Sequence, residues 1–215
     1  MGGRKKPLLA LHGEPLLQHA LRPFLAHPAV TALRVALSPD DASDCPGWLR
    51  DLDPRLALVA GGTSRTASVR AALEALPDVD VVLVHDAARP LVTHAIIDRC
   101  ISAVGKGTGA IAGWPASDTL KEVDKDRHVL ATPDRSRLWH AQTPQAFPAE
   151  LLRRAYAAWD GREVTDDGAL VEMVGGTVVM VEGSATNLKV TRLEDLAFAE
   201  VLLDMYGPSQ VVQGA

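Results

Sequence analysis

VVLVHDAARP, from Val81 to Pro90, is the stretch whose reading decides the fold: four apolar residues followed at once by His85, Asp86 and Arg89. An apolar run without alternation reads as a strand covered on both faces, as in the parallel sheet of an α/β protein. The residues behind such a strand emerge at the sheet's carboxyl edge, where open α/β sheets bind ligands. Asp86 and Arg89 are therefore candidates for a site. A carboxylate beside an arginine is also a common structural ion pair. At the binding edge the two can instead hold a hydroxyl or Mg2+-bound phosphates, with Arg89 taking a phosphate oxygen bidentately.

Outward from this strand, the chain alternates. Toward the N-terminus the pattern predicts a helix over 15–27, a strand over 32–37, a helix around 40–49, a strand over 55–59 and a helix over 66–76. Pro23 inside the first helix should kink or break it. The strand 79–84 is followed by a helix over 94–104 and a strand over 109–113. Such βαβα order predicts an α/β fold with a doubly wound, mostly parallel sheet. The regularity breaks after Trp114. The stretch DTLKEVDKDRHVLATPDR reads as two short strands, 119–123 and 128–132, joined by a charged turn at 124–127. A hairpin with so few apolar residues is not stable alone, so it must lie on the main sheet or embrace a partner subunit. Helices over 148–159 and 167–174, a strand over 177–181, a short run 188–191 and a helix over 193–205 follow, with a frayed tail from Gly207. The reading is one domain over 1–215 with an extended arm at 117–135.

Net charge is −5, from 27 acidic against 22 basic residues, and the basic residues are scattered apart from Arg4, Lys5 and Lys6. That excludes an evident nucleic-acid surface. No apolar run approaches the roughly 20 residues of a membrane helix. Cys45 and Cys100 stand alone without metal spacing, which points to a reduced, cytoplasmic compartment.

Four further stretches carry candidate chemistry. In AGGTSRTASV (Ala60–Val69), Gly61 and Gly62 let a ligand approach the backbone, a helix N-terminus offers free amides, and Ser64, Arg65 and Ser68 add donors; a plain turn and helix cap is the bland alternative. In LWHAQTPQAF (Leu138–Phe147), just ahead of a helix, Trp139 and His140 read as a core aromatic and its polar neighbour, and Thr143 as an anion donor. Thr165 in EVTDDGAL reads best as the N-cap of the helix that Asp166 and Asp167 begin. In NLKVTRLEDL, Lys189 falls inside an apolar strand, where a lysine is costly unless something negative meets it.

These pieces, in this order, resemble the 2-C-methyl-D-erythritol 4-phosphate cytidylyltransferases of the non-mevalonate isoprenoid pathway. GGTSRTASV, VLVHDAARP, DTLK, DRSRLWHAQTPQAF, VTDDGAL and NLKVTRLEDL carry the resemblance over almost the whole chain. It implies a Rossmann-like nucleotidyltransferase fold and a reaction in which the phosphate of the acceptor attacks the α-phosphorus of CTP, releasing pyrophosphate. It further implies Mg2+ held mainly by the CTP phosphates, with no direct protein ligand. By matching position, Lys6 and Lys189 would flank the α-phosphate, with Asp86 a third catalytic residue. Gly61, Gly62, Arg65, Ser68, Asp86 and Ala87 would hold CTP, and Arg89, Thr143, Thr165 and Lys189 would seat the polyol phosphate. Thr119 and Arg135 would reach across from a partner subunit, because in that family the hairpin arm interlocks a homodimer.

Thr63 and Thr186 stand where relatives often carry acidic residues. Relatives also open with an apolar strand and a turn of the type A-A-G-x-G-x-R around the triphosphate, whereas this chain starts at Met1 beyond that point. The expectation is an upstream start codon or a shortened form, with weak or no CTP turnover from Met1. Two other readings stand beside the first: a cytidylyltransferase for another polyol phosphate such as ribitol 5-phosphate, and a non-catalytic nucleotide-binding dimer.

Overall fold

The computed structural model describes residues 9–43 and 45–213, with 207–213 as backbone only. In chain order the elements are β1 Ala10–Leu11, β2 Glu14–Pro15, α1 Leu16–Ala26, β3 Leu33–Leu37, α2 Pro39–Ser43, α3 Gly47–Arg50, β4 Leu56–Ala60 and α4 Arg65–Glu74. Then follow β5 Val81–Val84, α5 His94–Ser102, β6 Thr108–Pro115, β7 Glu122–Val123, β8 Val129–Ala131 and β9 Trp139–Pro148. The chain ends with α6 Ala149–Ala157, α7 Asp167–Met173, β10 Thr177–Glu182 and α8 Leu193–Gln213. The architecture is α/β.

The opening stretch behaves as its composition requires. Val82 and Val84 pack into a cluster with Phe147, Leu152, Tyr156, Leu170 and Val171, which brings α6 and α7 onto one face of the sheet. Val81 and Leu83 turn the other way, against a cluster that includes Val35, Ile96, Ile97 and Cys100 and brings α5 onto the opposite face. Alternate side chains therefore enter two cores, and a run with no polar residue is the only pattern that satisfies both.

The main sheet is mixed and runs in the order β10-β6-β9-β5, with β6 and β10 parallel and β9 antiparallel to both of its neighbours. The parallel pair β3–β4 stands as its own ladder; among the described residues it exchanges no strand hydrogen bonds with β5. Strand β9 is the element that sequence pattern passed over: Trp139–Pro148 was expected as a lead-in to a helix and is instead a ten-residue central strand. Its first three residues run past the core, so Trp139, expected inside, is 40% exposed. Between Ile111↔Gln145 and Gly113↔Ala141 the register slips, leaving Gln142, Thr143 and Pro144 opposite Ala112 alone. A bulge of this kind re-aims side chains away from the ladder.

Other expectations need correction. Two short helices replace the one expected over 40–49, because Pro46 has no amide to continue a helix and instead precedes α3. Helix α1 runs three residues past Pro23, whose carbonyl is engaged by His94 Nε2 at 2.8 Å. The run 188–191 forms no strand, so Lys189 lies on a loop. The C-terminal tail is helical through Gly207 to Gln213, since Pro208 removes only one amide donor from α8. Strands β7 and β8 pair with each other and, among the described residues, with no strand of the main sheet, leaving Val123, Val129 and Leu130 exposed. Among the described residues no helix is long and apolar enough to cross a membrane.

Candidate active site

Three loops meet at the carboxyl end of β5: the turn after β4, the stretch 85–90 after β5, and the stretch 183–190 after β10. The first is made by glycines. A Cβ on Gly62 would lie 2.4 Å from the Ala67 Cβ, and one on Gly61 would lie 2.7 Å from Ser68 Oγ, so the turn closes onto α4 only without side chains there. Ser64 caps α4 by accepting from Ala67 N, and Ser68 Oγ accepts from Gly62 N at 3.1 Å and donates to Ser64 O at 2.8 Å. This delivers Arg65, the first helical residue, toward the sheet edge.

The second and third loops are tied together through the β9 bulge. Thr143 Oγ1 accepts from Asp86 N at 3.0 Å and lies 3.0 Å from His85 Nδ1, while His85 Nε2 meets Arg89 O at 3.0 Å. Gln142 donates to Ser184 O at 2.7 Å and accepts from Asn187 Nδ2, which also donates to Thr143 O at 2.9 Å. Arg89 Nη1 donates to Asn187 O and Val190 N to Ala88 O, both at 2.7 Å. The apolar Val190 is buried beside Leu91 and Ala199. Lys189 is thus held by its neighbours rather than by a strand ladder.

What this brings together is a cluster of four charges. Asp86 is 14% exposed and receives Arg65 Nε on Oδ1 at 3.0 Å and Lys189 Nζ on Oδ2 at 2.7 Å. Arg65 Nη1 also lies 2.9 Å from Oδ2 of Asp167, which is 1% exposed. Burial alone would raise the Asp86 pKa, but Lys189 and Arg65 outweigh it and hold the carboxyl at about 2. Burial would lower the Arg65 pKa, and the two carboxylates raise it instead. Burial pushes His85 down to about 4, so the ring is neutral at pH 7.

Of the residues expected in the site, Arg65, Asp86 and Lys189 converge, with Gly61, Gly62 and Ser68 shaping the adjoining turn. Ala87 lies between Asp86 and the Ala88 carbonyl that pins Val190. Arg89 points to backbone carbonyls of Asn187 and Ala141, and burial lowers its pKa. Thr143 is 4% exposed, with its hydroxyl turned to His85 and Asp86. Thr165 is exposed and is not the helix cap: Asp166 takes that place, accepting from Ala169 N, because α7 starts one residue later. Thr119 and Arg135 are exposed on the arm and stand outside the charge cluster; Arg135 Nη1 donates to Ser117 O. Lys6 lies outside the described residues. Sequence reading missed Asp167, Asn187 and the roles of Gln142 and Gln145. The pair Asp166–Asp167 held the one available hint, since a helix start needs a single capping carboxylate and the second is free for another partner.

Residues 1–205 match the family model described as IspD, 2-C-methyl-D-erythritol 4-phosphate cytidylyltransferase. A 2-C-methyl-D-erythritol 4-phosphate cytidylyltransferase of Aeromonas hydrophila is 43% identical over 214 residues, covering 97% of this chain and 86% of the relative. The enzyme of that name from Haemophilus influenzae is 42% identical over 203 residues, covering 93% and 88%. A bifunctional enzyme IspD/IspF of Rhodopseudomonas palustris is 45% identical over 203 residues, and the chain spans 50% of its length. Among solved structures, the 4-diphosphocytidyl-2C-methyl-D-erythritol synthase of Anaerococcus prevotii superposes with a TM-score of 0.85 at 30% identity, covering 95% of this chain and 92% of that one. The Thermus thermophilus cytidylyltransferase gives 0.79 at 34% identity, covering 93% and 94%.

Proposed function

The chain belongs to the 2-C-methyl-D-erythritol 4-phosphate cytidylyltransferase family, so its chemistry is cytidylyl transfer in isoprenoid precursor biosynthesis, and we propose that the cluster around Asp86 is where it is performed. A phosphate oxygen of 2-C-methyl-D-erythritol 4-phosphate forms a bond to the α-phosphorus of CTP as the bond to pyrophosphate breaks. Such a reaction asks the protein for positioning and charge stabilisation more than for covalent work. The observation that carries the proposal is Lys189 Nζ at 2.7 Å from Asp86, with Arg65 on the second oxygen, at the carboxyl end of β5.

Asp86 holds Lys189 at the mouth of the site, and an arriving α-phosphate competes with it for the ammonium. Lys189 is 43% exposed and has the freedom to turn toward the ligand. Gly61 and Gly62 are assigned to the nucleoside and Lys6, outside the described residues, to the α-phosphate, both by matching position alone. Thr143, with its hydroxyl committed to His85, acts by holding Asp86 rather than by donating to the acceptor phosphate. Mg2+ belongs to the same proposal. Both Asp86 oxygens already face cations, Arg65 on one and Lys189 on the other. That donor set fits an ion carried in on the triphosphate oxygens, where it offsets phosphate charge.

The arm makes a homodimer in this proposal, with Thr119 and Arg135 completing the acceptor site of a second copy; the support is a hairpin that exposes Val123, Val129 and Leu130. Cytoplasmic residence is supported by Cys45 and Cys100, both buried and unpaired.

Pyrophosphate release with CTP and Mg2+, from a protein that carries the upstream A-A-G-x-G-x-R turn of its relatives, tests the reading. Turnover should be faster with 2-C-methyl-D-erythritol 4-phosphate than with ribitol 5-phosphate, and equal rates would defeat the acceptor assignment. CTP binding without release would favour a nucleotide-binding module. Lys189→Ala should lower kcat by more than about tenfold, or ~1.4 kcal/mol of transition-state stabilisation; a smaller loss removes Lys189 from that role.

A further inference from the structure

We infer that Asp167 is a positioning residue for the transfer reaction, acting from beneath the site through Arg65, with Tyr156 as its anchor. The inference deepens the proposed function and rests on it for its kinetic arm. Asp167 is 1% exposed, so no substrate reaches it. Its Oδ1 accepts from the Tyr156 hydroxyl, and its Oδ2 has no hydrogen bond and faces Arg65 Nη1 at 2.9 Å.

A buried carboxylate is costly unless a partner compensates it, and here that partner is a residue of the site. The surroundings keep Asp167 from moving. Gln145 Oε1, on β9, accepts from the amides of Asp167 and Gly168 at 3.1 and 3.2 Å. A Cβ on Gly168 would lie 2.6 Å from the end of Ile111, so the first turn of α7 sits directly on β6. Tyr156 is 2% exposed on α6, and burial together with Asp167 raises its pKa, so its hydroxyl remains a donor.

Arg65 therefore cannot swing wholly onto Asp86. It is stretched between two carboxylates, presents Nε to Asp86 Oδ1, and leaves Oδ2 to Lys189. Without the Asp167 charge, Arg65 is free to take both Asp86 oxygens and displace Lys189. The site would then gain one unit of positive charge while losing alignment. Ground-state attraction for CTP is kept, and the alignment needed in the transition state is lost.

Asp167→Asn should lower kcat by about tenfold or more while the KM for CTP changes by less than about threefold. In an Arg65→Gln background the same change should cost less than about twofold, because Asp167 acts only through Arg65. Equal losses in the two backgrounds, or no loss in the first, overturn the inference. A readout independent of turnover is solvent exchange, followed by NMR, of the Lys189 ammonium protons, which rest on Asp86 in the unsubstituted protein and are released when Arg65 takes both Asp86 oxygens. It should quicken by about tenfold in Asp167→Asn and less in Tyr156→Phe, which keeps the charge; unchanged exchange in Asp167→Asn also overturns the inference. Absence of pyrophosphate release from the unsubstituted protein carrying the upstream A-A-G-x-G-x-R turn of its relatives would sink the proposed function instead, and exchange would still decide the role of Asp167.

Discussion

Thr143 has a single hydroxyl proton, and its neighbours decide where it goes. The Asp86 amide can only donate, so Thr143 Oγ1 accepts from it; the Arg89 carbonyl can only accept, so His85 carries its proton on Nε2. His85 Nδ1 is left with a lone pair and takes the Thr143 proton. A neutral ring is built into the site, and stability must follow its titration. His85 is held at about 4 in the folded protein, against about 6.5 when unfolded. Between those values the unfolded chain binds the additional proton, so stability is full above pH 6.5 and falls as pH drops toward 4. The loss from this group is at most roughly 3 kcal/mol. Asp86, held at about 2, adds its own loss only below its ordinary value of 3.8. Denaturant unfolding at pH 7 and pH 5 should show this drop, and His85→Gln should flatten it; the same drop in the variant would assign it to other groups. At this scale the sequence was legible for Asp86, Arg65 and Lys189, whose neighbours mark a strand end, a Gly-Gly turn and an apolar run. It was misleading for Thr143, whose hydroxyl looks free until the bulge turns it inward.

Among the elements, β9 does the joining. Its alternation is hidden because Gln142, Thr143 and Gln145 are polar yet buried, so nothing in the local pattern separates them from a loop. They are buried because each is hydrogen-bonded to a neighbouring segment, and a bulge is what lets Gln142 and Thr143 turn away from β6. Asn187, fully buried, fastens the Lys189 loop to this bulge through Gln142 and Thr143. Asn187→Ala strips those bonds and leaves buried acceptors unpaired, at a cost of about 1–3 kcal/mol. The midpoint of denaturant unfolding should fall accordingly, with kcat reduced because Lys189 loses its mooring. An unchanged midpoint would show that Val190 alone holds the loop.

At the scale of the whole molecule, the arm is the unfinished part. A hairpin of a few residues a side with exposed valines and a leucine does not gain stability from itself. Leu130→Asp should shift the protein toward monomer in light scattering, and Arg135→Ala should raise the KM for the acceptor more than that for CTP. A chain that is monomeric before substitution, or the reverse order of effects, defeats the shared-site arrangement. What the sequence determined by itself was local: a run of four apolar residues must be a strand buried on both faces, and the charged residues behind it must gather at its end. Only tertiary structure decided that β9 enters antiparallel between β5 and β6, that Lys189 sits on a loop facing Asp86, and that Asp167 lies beneath Arg65. The reason is physical. Apolar period and turn chemistry act between near neighbours, whereas these contacts join segments far apart in the chain and form only once the register of the sheet is set.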